Sequence, residues 1–301
     1  MTVTVQSDAL LELLDPEAEL EPLASGFSFS EGPAWHPVEQ CLYFSDVVGS
    51  VRYRWSEEGG LEEVHNPSDH SNGSAFAPDL SHVVCEHATS RLVAYRPDGA
   101  FEVLASHWQG RELNSPNDVC VRADGTLWFS DPPFGRDGVG GPERAVELDF
   151  QGVFALRPGG ELLLAADDFG GPNGVCLSPE ESILYVNDTA RAHIRAFDVA
   201  ADGTLSGDRV FAEGIGNGEL AGGIVDGMKC DERGNVWVTG PRGIWVFSPA
   251  GEHLGVLEVP QPNVGNFAWG GPDWTDLYVC ATAGLYRVPT KVAGHHLAFA
   301  G

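Results

Sequence analysis

Positive charge is scarce in this chain: 17 Lys and Arg face 44 Asp and Glu, a formal net charge of −27 over 301 residues. Such a field repels phosphate backbones and anionic lipid, which argues against nucleic acid and membrane surfaces as partners. Long apolar runs are also missing, and without about 18 consecutive apolar residues no membrane-spanning helix is expected. The opening MTVTVQSDALLELLDPEAEL is acidic where a signal peptide needs a basic start and an apolar stretch, which predicts a cytoplasmic protein. The six cysteines (Cys41, Cys85, Cys120, Cys176, Cys230, Cys280) form no C-x-x-C pair and no zinc-finger spacing. Each sits in or beside an apolar run, so free buried thiols are expected rather than disulfides or metal ligands.

What is present is turn material and a large core. The 38 glycines and 20 prolines point to many short strands, and 43% hydrophobic residues suffice to bury them. The strands repeat. Asn117-Asp-Val-Cys-Val is followed by an Asp-Gly turn and Leu127-Trp-Phe-Ser-Asp131. Asn173-Gly-Val-Cys-Leu precedes Leu184-Tyr-Val-Asn-Asp188, Asp226-Gly-Met-Lys-Cys precedes Val236-Trp-Val-Thr-Gly240, and Glu31-Gly-Pro-Ala-Trp precedes Leu42-Tyr-Phe-Ser-Asp46. Fainter copies begin at Asn72 and Asn266. The six leading residues are 41, 45, 56, 53 and 40 positions apart. Third and fourth strand patterns follow in each unit, except that the last lacks a fourth. Several strands per unit at this period mark β-propeller blades. The predicted fold is an all-β, six-bladed propeller with four-stranded blades over 18–301. Leu20 to Ala24 completes the last blade and closes the ring, and 1–17 form an N-terminal extension.

First strands of propeller blades line the central channel, so Glu31, Asn72, Asn117, Asn173, Asp226 and Asn266 should converge on the axis. An isolated Asn-Gly would be an ordinary turn. Six side-chain oxygens at equivalent positions are a different matter, because strands are depleted in Asn and Asp. Two carboxylates brought together need a proton or a cation between them. Carboxylate and amide oxygens suit Ca²⁺ first, then Mg²⁺ or Mn²⁺, with Zn²⁺ less favoured.

The stretches SEGPAWHPVEQCLYFSD, SPNDVCVRADGTLWFSDPPFG, GPNGVCLSPEESILYVND and VDGMKCDERGNVWVTG, in that order, resemble the blade motifs of the regucalcin/gluconolactonase family over about residues 20 to 290. The resemblance implies a six-bladed propeller, one divalent metal on the axis and lactone hydrolysis. It places the metal ligands on Glu31, Asn173 and Asp226, with Asn117 as fourth ligand or substrate contact. Regucalcin-like members carry an arginine two residues before that asparagine; here the position is Ser115, and LNSPND…DPPFG is closer to the bacterial gluconolactonase branch.

The reaction expected is attack of water on a cyclic ester, with the metal polarising the carbonyl and a carboxylate taking the proton. Asp226 is the first choice for that base. Asp131 and Asp188, which end second strands, are rivals, with strand-end capping as the bland alternative. Ser115, Asn72, Asn117 and Asp188 are candidate substrate contacts, and the partner expected is a small lactone such as gluconolactone. An organophosphate hydrolase of the diisopropylfluorophosphatase type fits the same Glu, Asn, Asn, Asp set, and a non-enzymatic binding scaffold is the third reading. The Gly-rich insertion from Arg136 to Val146 reads as a lid or a mobile connection. His36, in a turn before a proline, is expected at the surface, and His295 and His296 in a C-terminal tail.

Overall fold

The computed structural model describes residues 2–299. Alternating apolar residues separated by Gly, Pro and Asp turns form six antiparallel sheets of meandering strands, as expected. Blade 1 comprises Ser30–His36, Cys41–Asp46, Val51–Ser56 and Gly60–His65, and blade 2 comprises Ser71–Phe76, His82–Glu86, Arg91–Tyr95 and Phe101–Ala105. Blade 3 runs from Val119–Val121 to Leu162–Ala166, blade 4 from Pro172–Leu177 to Leu205–Glu213, and blade 5 from Met228–Cys230 to His253–Glu258. Blade 6 begins at Asn266–Gly270. Its fourth strand is Glu21–Ser25, antiparallel to Gly284–Pro289 with Glu21 opposite Arg287. The first strands touch their neighbours in cyclic order, and that of blade 6 touches that of blade 1. The protein is a closed six-bladed propeller.

Apolar side chains fill the wedges between blades. Trp128, Trp237, Phe129, Phe154 and Phe267 are fully buried, and Trp35 of blade 1 stacks on Tyr278 of blade 6 at 5.3 Å between rings. Thr2–Val5 adds a fifth strand to the outer edge of blade 5, and Leu10, Leu13 and Leu14 bury against blades 5 and 6. All six cysteines are free, and five are buried. Among the described residues no helix is long and apolar enough to cross a membrane.

The glycine after the leading residue is explained by crowding at the axis. A Cβ on Gly32 would lie 1.9 Å from Asn72 O, on Gly73 2.5 Å from Asn117 O, and on Gly174 2.2 Å from Asp226 O. The same closeness lets Gly73 N–H donate to Asn117 O at 2.8 Å and Gly174 N–H to Asp226 O at 3.1 Å. Only Gly32 of these has a positive φ, so the repeated glycine serves interstrand approach more than turning.

Two local expectations differ from the structure. The strand expected to open on Asn117 starts at Val119, because Asn117 and Asp118 both bond to Ser130 of the second strand, Asn117 N–H donating to Ser130 O and Ser130 N–H to Asp118 O, which breaks the regular register. His36 is buried: its Nδ1 accepts from Glu39 N–H at 3.0 Å and its ring packs on Phe76 of blade 2.

Candidate active site

Glu31, Asn72, Asn117, Asn173 and Asp226 line one cavity of ≈ 350 Å³ at the axis, with Phe134 and, from the blade 3 insertion, Asp137, Val139 and Gly140 forming part of its wall. All five leading side chains are buried. Residues two to four positions further along the same strands line a separate cavity that includes Cys120, Cys176, Lys229 and Cys230, with His295 and His296 of the C-terminal tail at its edge. The polar ring therefore occupies one end of the channel and a thiol-rich, largely apolar wall the other.

Asn173 directs Nδ2 to Thr189 Oγ1 at 3.0 Å, and Asn72 directs Nδ2 to His87 Nε2 at 3.1 Å. In both, the buried Oδ1 has no hydrogen-bond partner within the protein. Burial and then the charge of Asp118 push the Glu31 carboxyl up to about 7. Burial, Glu31 and Asp118 hold Asp226 well above the usual carboxylate range. Unpartnered acceptors beside two crowded carboxyls form a site short of positive charge.

The sixth leading residue, Asn266, does not line that cavity. Asn266 Oδ1 accepts from Phe267 N–H at 2.9 Å and from Lys229 Nζ at 3.4 Å, beneath the point where Gly227 leaves no room for a side chain. Lys229 also lies 3.7 Å from Asp118 Oδ2. Asp118 sits where four of the other blades carry glycine, and sequence reasoning gave neither it nor Lys229 a role.

Three of the candidate residues lie off the cavity. Asp131 Oδ2 accepts from Asn114 N–H at 2.8 Å, and burial pushes its carboxyl up to about 7. Asp188 Oδ2 accepts from Gly170 N–H at 2.7 Å and pairs with Arg191 at 3.2 Å. Asp46 takes Ser28 and Phe29 N–H in the same way in blade 1. In blades 1, 3 and 4 this recurring carboxylate ties the end of the second strand to the loop leading into the blade. Ser115 Oγ donates to Pro132 O at 2.6 Å and accepts from Gly135 N–H at 2.9 Å, which fixes the loop behind Asn117.

His87 and Thr189 were missed from sequence. Both follow the residue that ends the second strand, and Val47 of blade 1 is their equivalent in the cavity wall. The repeat held that signal one position beyond the motif.

Residues 29–283 match the model for the SMP-30/Gluconolactonase/LRE-like region. The chain belongs to this family. Over 97% of its length it is 31% identical to a gluconolactonase of Zymomonas mobilis, 87% of which is covered. A pentonolactonase of Haloferax volcanii is 27% identical, over 84% of this chain and 81% of that protein. Among solved structures, a gluconolactonase of Xanthomonas campestris superposes with a TM-score of 0.87 at 32% identity, over 96% of this chain and 95% of that one. A calcium-binding regucalcin of Agrobacterium tumefaciens shares the fold, with a TM-score of 0.75 at 18% identity over 94% of this chain and 98% of that one.

Proposed function

We propose that this family member is a metal-dependent lactonase acting on a sugar lactone such as gluconolactone. One observation carries the reading: two buried carboxyls line one axial cavity together with Asn72 and Asn173, whose buried Oδ1 atoms have no protein partner. The gluconolactonase and pentonolactonase relatives support the substrate class.

The donor set fits a hard divalent cation, Ca²⁺ before Mg²⁺ or Mn²⁺. Among the described residues no three His, Cys, Asp or Glu side chains gather as a metal centre, so amide oxygens must complete the set. Glu31, Asn173 and Asp226 would hold the cation, with Asn117 as a fourth donor or substrate contact. Bound there, it would draw electron density from the lactone carbonyl.

The protein's own groups supply the rest. Asp226 takes a proton from water as its oxygen bonds to the carbonyl carbon. The ring C–O bond then breaks, and Asp226 returns the proton to the departing alkoxide. Asn117 and Asn72 orient the ring, while Phe134 and Val139 limit water at the cavity wall. Asp131 and Asp188 are left as caps, since neither lines the cavity and one oxygen of each accepts a backbone N–H.

A pH-indicator screen of sugar, aliphatic and aromatic lactones beside one organophosphate, with metal content measured, tests the reading. Turnover of sugar lactones that depends on metal is expected. Organophosphate turnover alone would favour the phosphotriesterase reading, and no turnover of any compound would favour a binding scaffold.

A further inference from the structure

We infer that His87 is a positioning residue that aims Asn72 Oδ1 into the cavity as an acceptor for a hydroxyl of the substrate, a role that rests on the lactonase reading. His87 Nδ1 lies 3.1 Å from Gly140 O, and its Nε2 lies 3.1 Å from Asn72 Nδ2. A carbonyl only accepts, so Nδ1 carries the proton. Burial pushes His87 down to about 4, which keeps the ring neutral and leaves Nε2 a lone-pair acceptor. Only the NH₂ of Asn72 can face that lone pair. The amide orientation is thereby fixed, which leaves Oδ1 buried without a protein partner in a side chain that lines the cavity.

The ring itself is locked. A Cβ on Gly135 would come within 2.4 Å of the His87 Cβ, so the chain entering the insertion packs directly on it. Arg144 Nη2 donates to His87 O at 3.2 Å and to Ser90 Oγ at 2.7 Å, and Arg136 donates to Glu112 at 2.8 Å. These contacts seat Gly140 O over Nδ1. The insertion that borders the cavity therefore sets the tautomer that sets the amide. An acceptor placed this way discriminates for a hydroxyl, because a ligand lacking one leaves Oδ1 unpaired.

The test compares glucono-δ-lactone with δ-valerolactone, which has the ester ring and no hydroxyls. His87→Phe keeps the ring and removes both nitrogens; His87→Gln restores an acceptor toward Asn72. His87→Phe is expected to raise KM for gluconolactone by about 5- to 10-fold more than KM for valerolactone, the scale of one lost hydrogen bond. His87→Gln should recover most of that difference, and in an Asn72→Ala background His87→Phe should add little. In the unmodified protein, ¹⁵N NMR of the ring should find the Nδ1–H tautomer. Equal losses on both lactones, additive effects with Asn72→Ala, or an Nε2–H tautomer would overturn the inference while leaving the lactonase reading intact. Failure of the unmodified enzyme to turn over either lactone would instead remove the lactonase reading and the inference with it.

Discussion

Thr189 stands behind Asn173 as a two-way clamp: its Oγ1 accepts from Asn173 Nδ2 at 3.0 Å and donates to Val225 O at 2.8 Å. The hydroxyl proton is committed to a carbonyl, so the amide can present only its NH₂ to Thr189 and its oxygen to the axis. Groups that orient a ligand are worth about 10- to 100-fold in metal affinity. Thr189→Val, which keeps the shape and removes the hydroxyl, should weaken Ca²⁺ binding by about 10-fold in calorimetry. Unaltered affinity would mean that Asn173 needs no such clamp.

Removal of the cation should be costly and reversible. Chelation followed by gel filtration is expected to abolish lactone hydrolysis, with Ca²⁺ restoring it. Melting temperature should climb with Ca²⁺ concentration, because an ion that binds only the folded state stabilises it by mass action. Full activity in protein shown to be metal-free would defeat the metal-dependent reading.

Asp226→Asn keeps an oxygen and the cavity shape but removes the proton acceptor. Turnover should fall by roughly 10²–10⁴-fold, the range of a lost general base, with the melting temperature largely kept. Near-normal turnover would pass the role of base to another group.

Asp131 predicts a pH effect separate from the ring. Its folded carboxyl is raised to about 7 by burial, above the ordinary 3.8. A raised carboxyl is neutral in both states at low pH, so its cost is absent there, develops as pH rises from 4 to 7, and is complete above 7. Asp131→Asn keeps an acceptor for Asn114 N–H and cannot ionise. Relative to the unmodified protein it should gain stability as pH rises, on the order of 2–4 kcal/mol between pH 4 and 8. A pH-independent difference in denaturant melts would contradict a buried, proton-binding Asp131.

At the axis, Gly174→Ala should push blades 4 and 5 apart, since its Cβ would meet Asp226 O at 2.2 Å. Overpacking against backbone typically costs about 1–3 kcal/mol, and the melting temperature should drop accordingly. Gly99→Ala, with open space around its Cβ and a φ of +86°, should cost only about 1–2 kcal/mol of backbone strain.

The sequence by itself determined the blade count, the closing strand and the convergence of Glu31, Asn72, Asn117, Asn173 and Asp226. Each follows from a periodic pattern, and periodic patterns survive in one dimension. The tertiary structure decided which equivalent positions do equivalent work. Asn266 belongs to the repeat yet lies outside the cavity lining, where its Oδ1 accepts from Lys229 and packs tightly against Gly227 of the neighbouring blade. Asp131 and Asp188 share the strand-end position and do not line the cavity, held by backbone N–H groups of loops 17 and 18 residues earlier. His87 and Thr189 gain their roles from the single side chain each meets across the turn. Amide orientation depends on such a neighbour's proton, a contact that no residue spacing encodes.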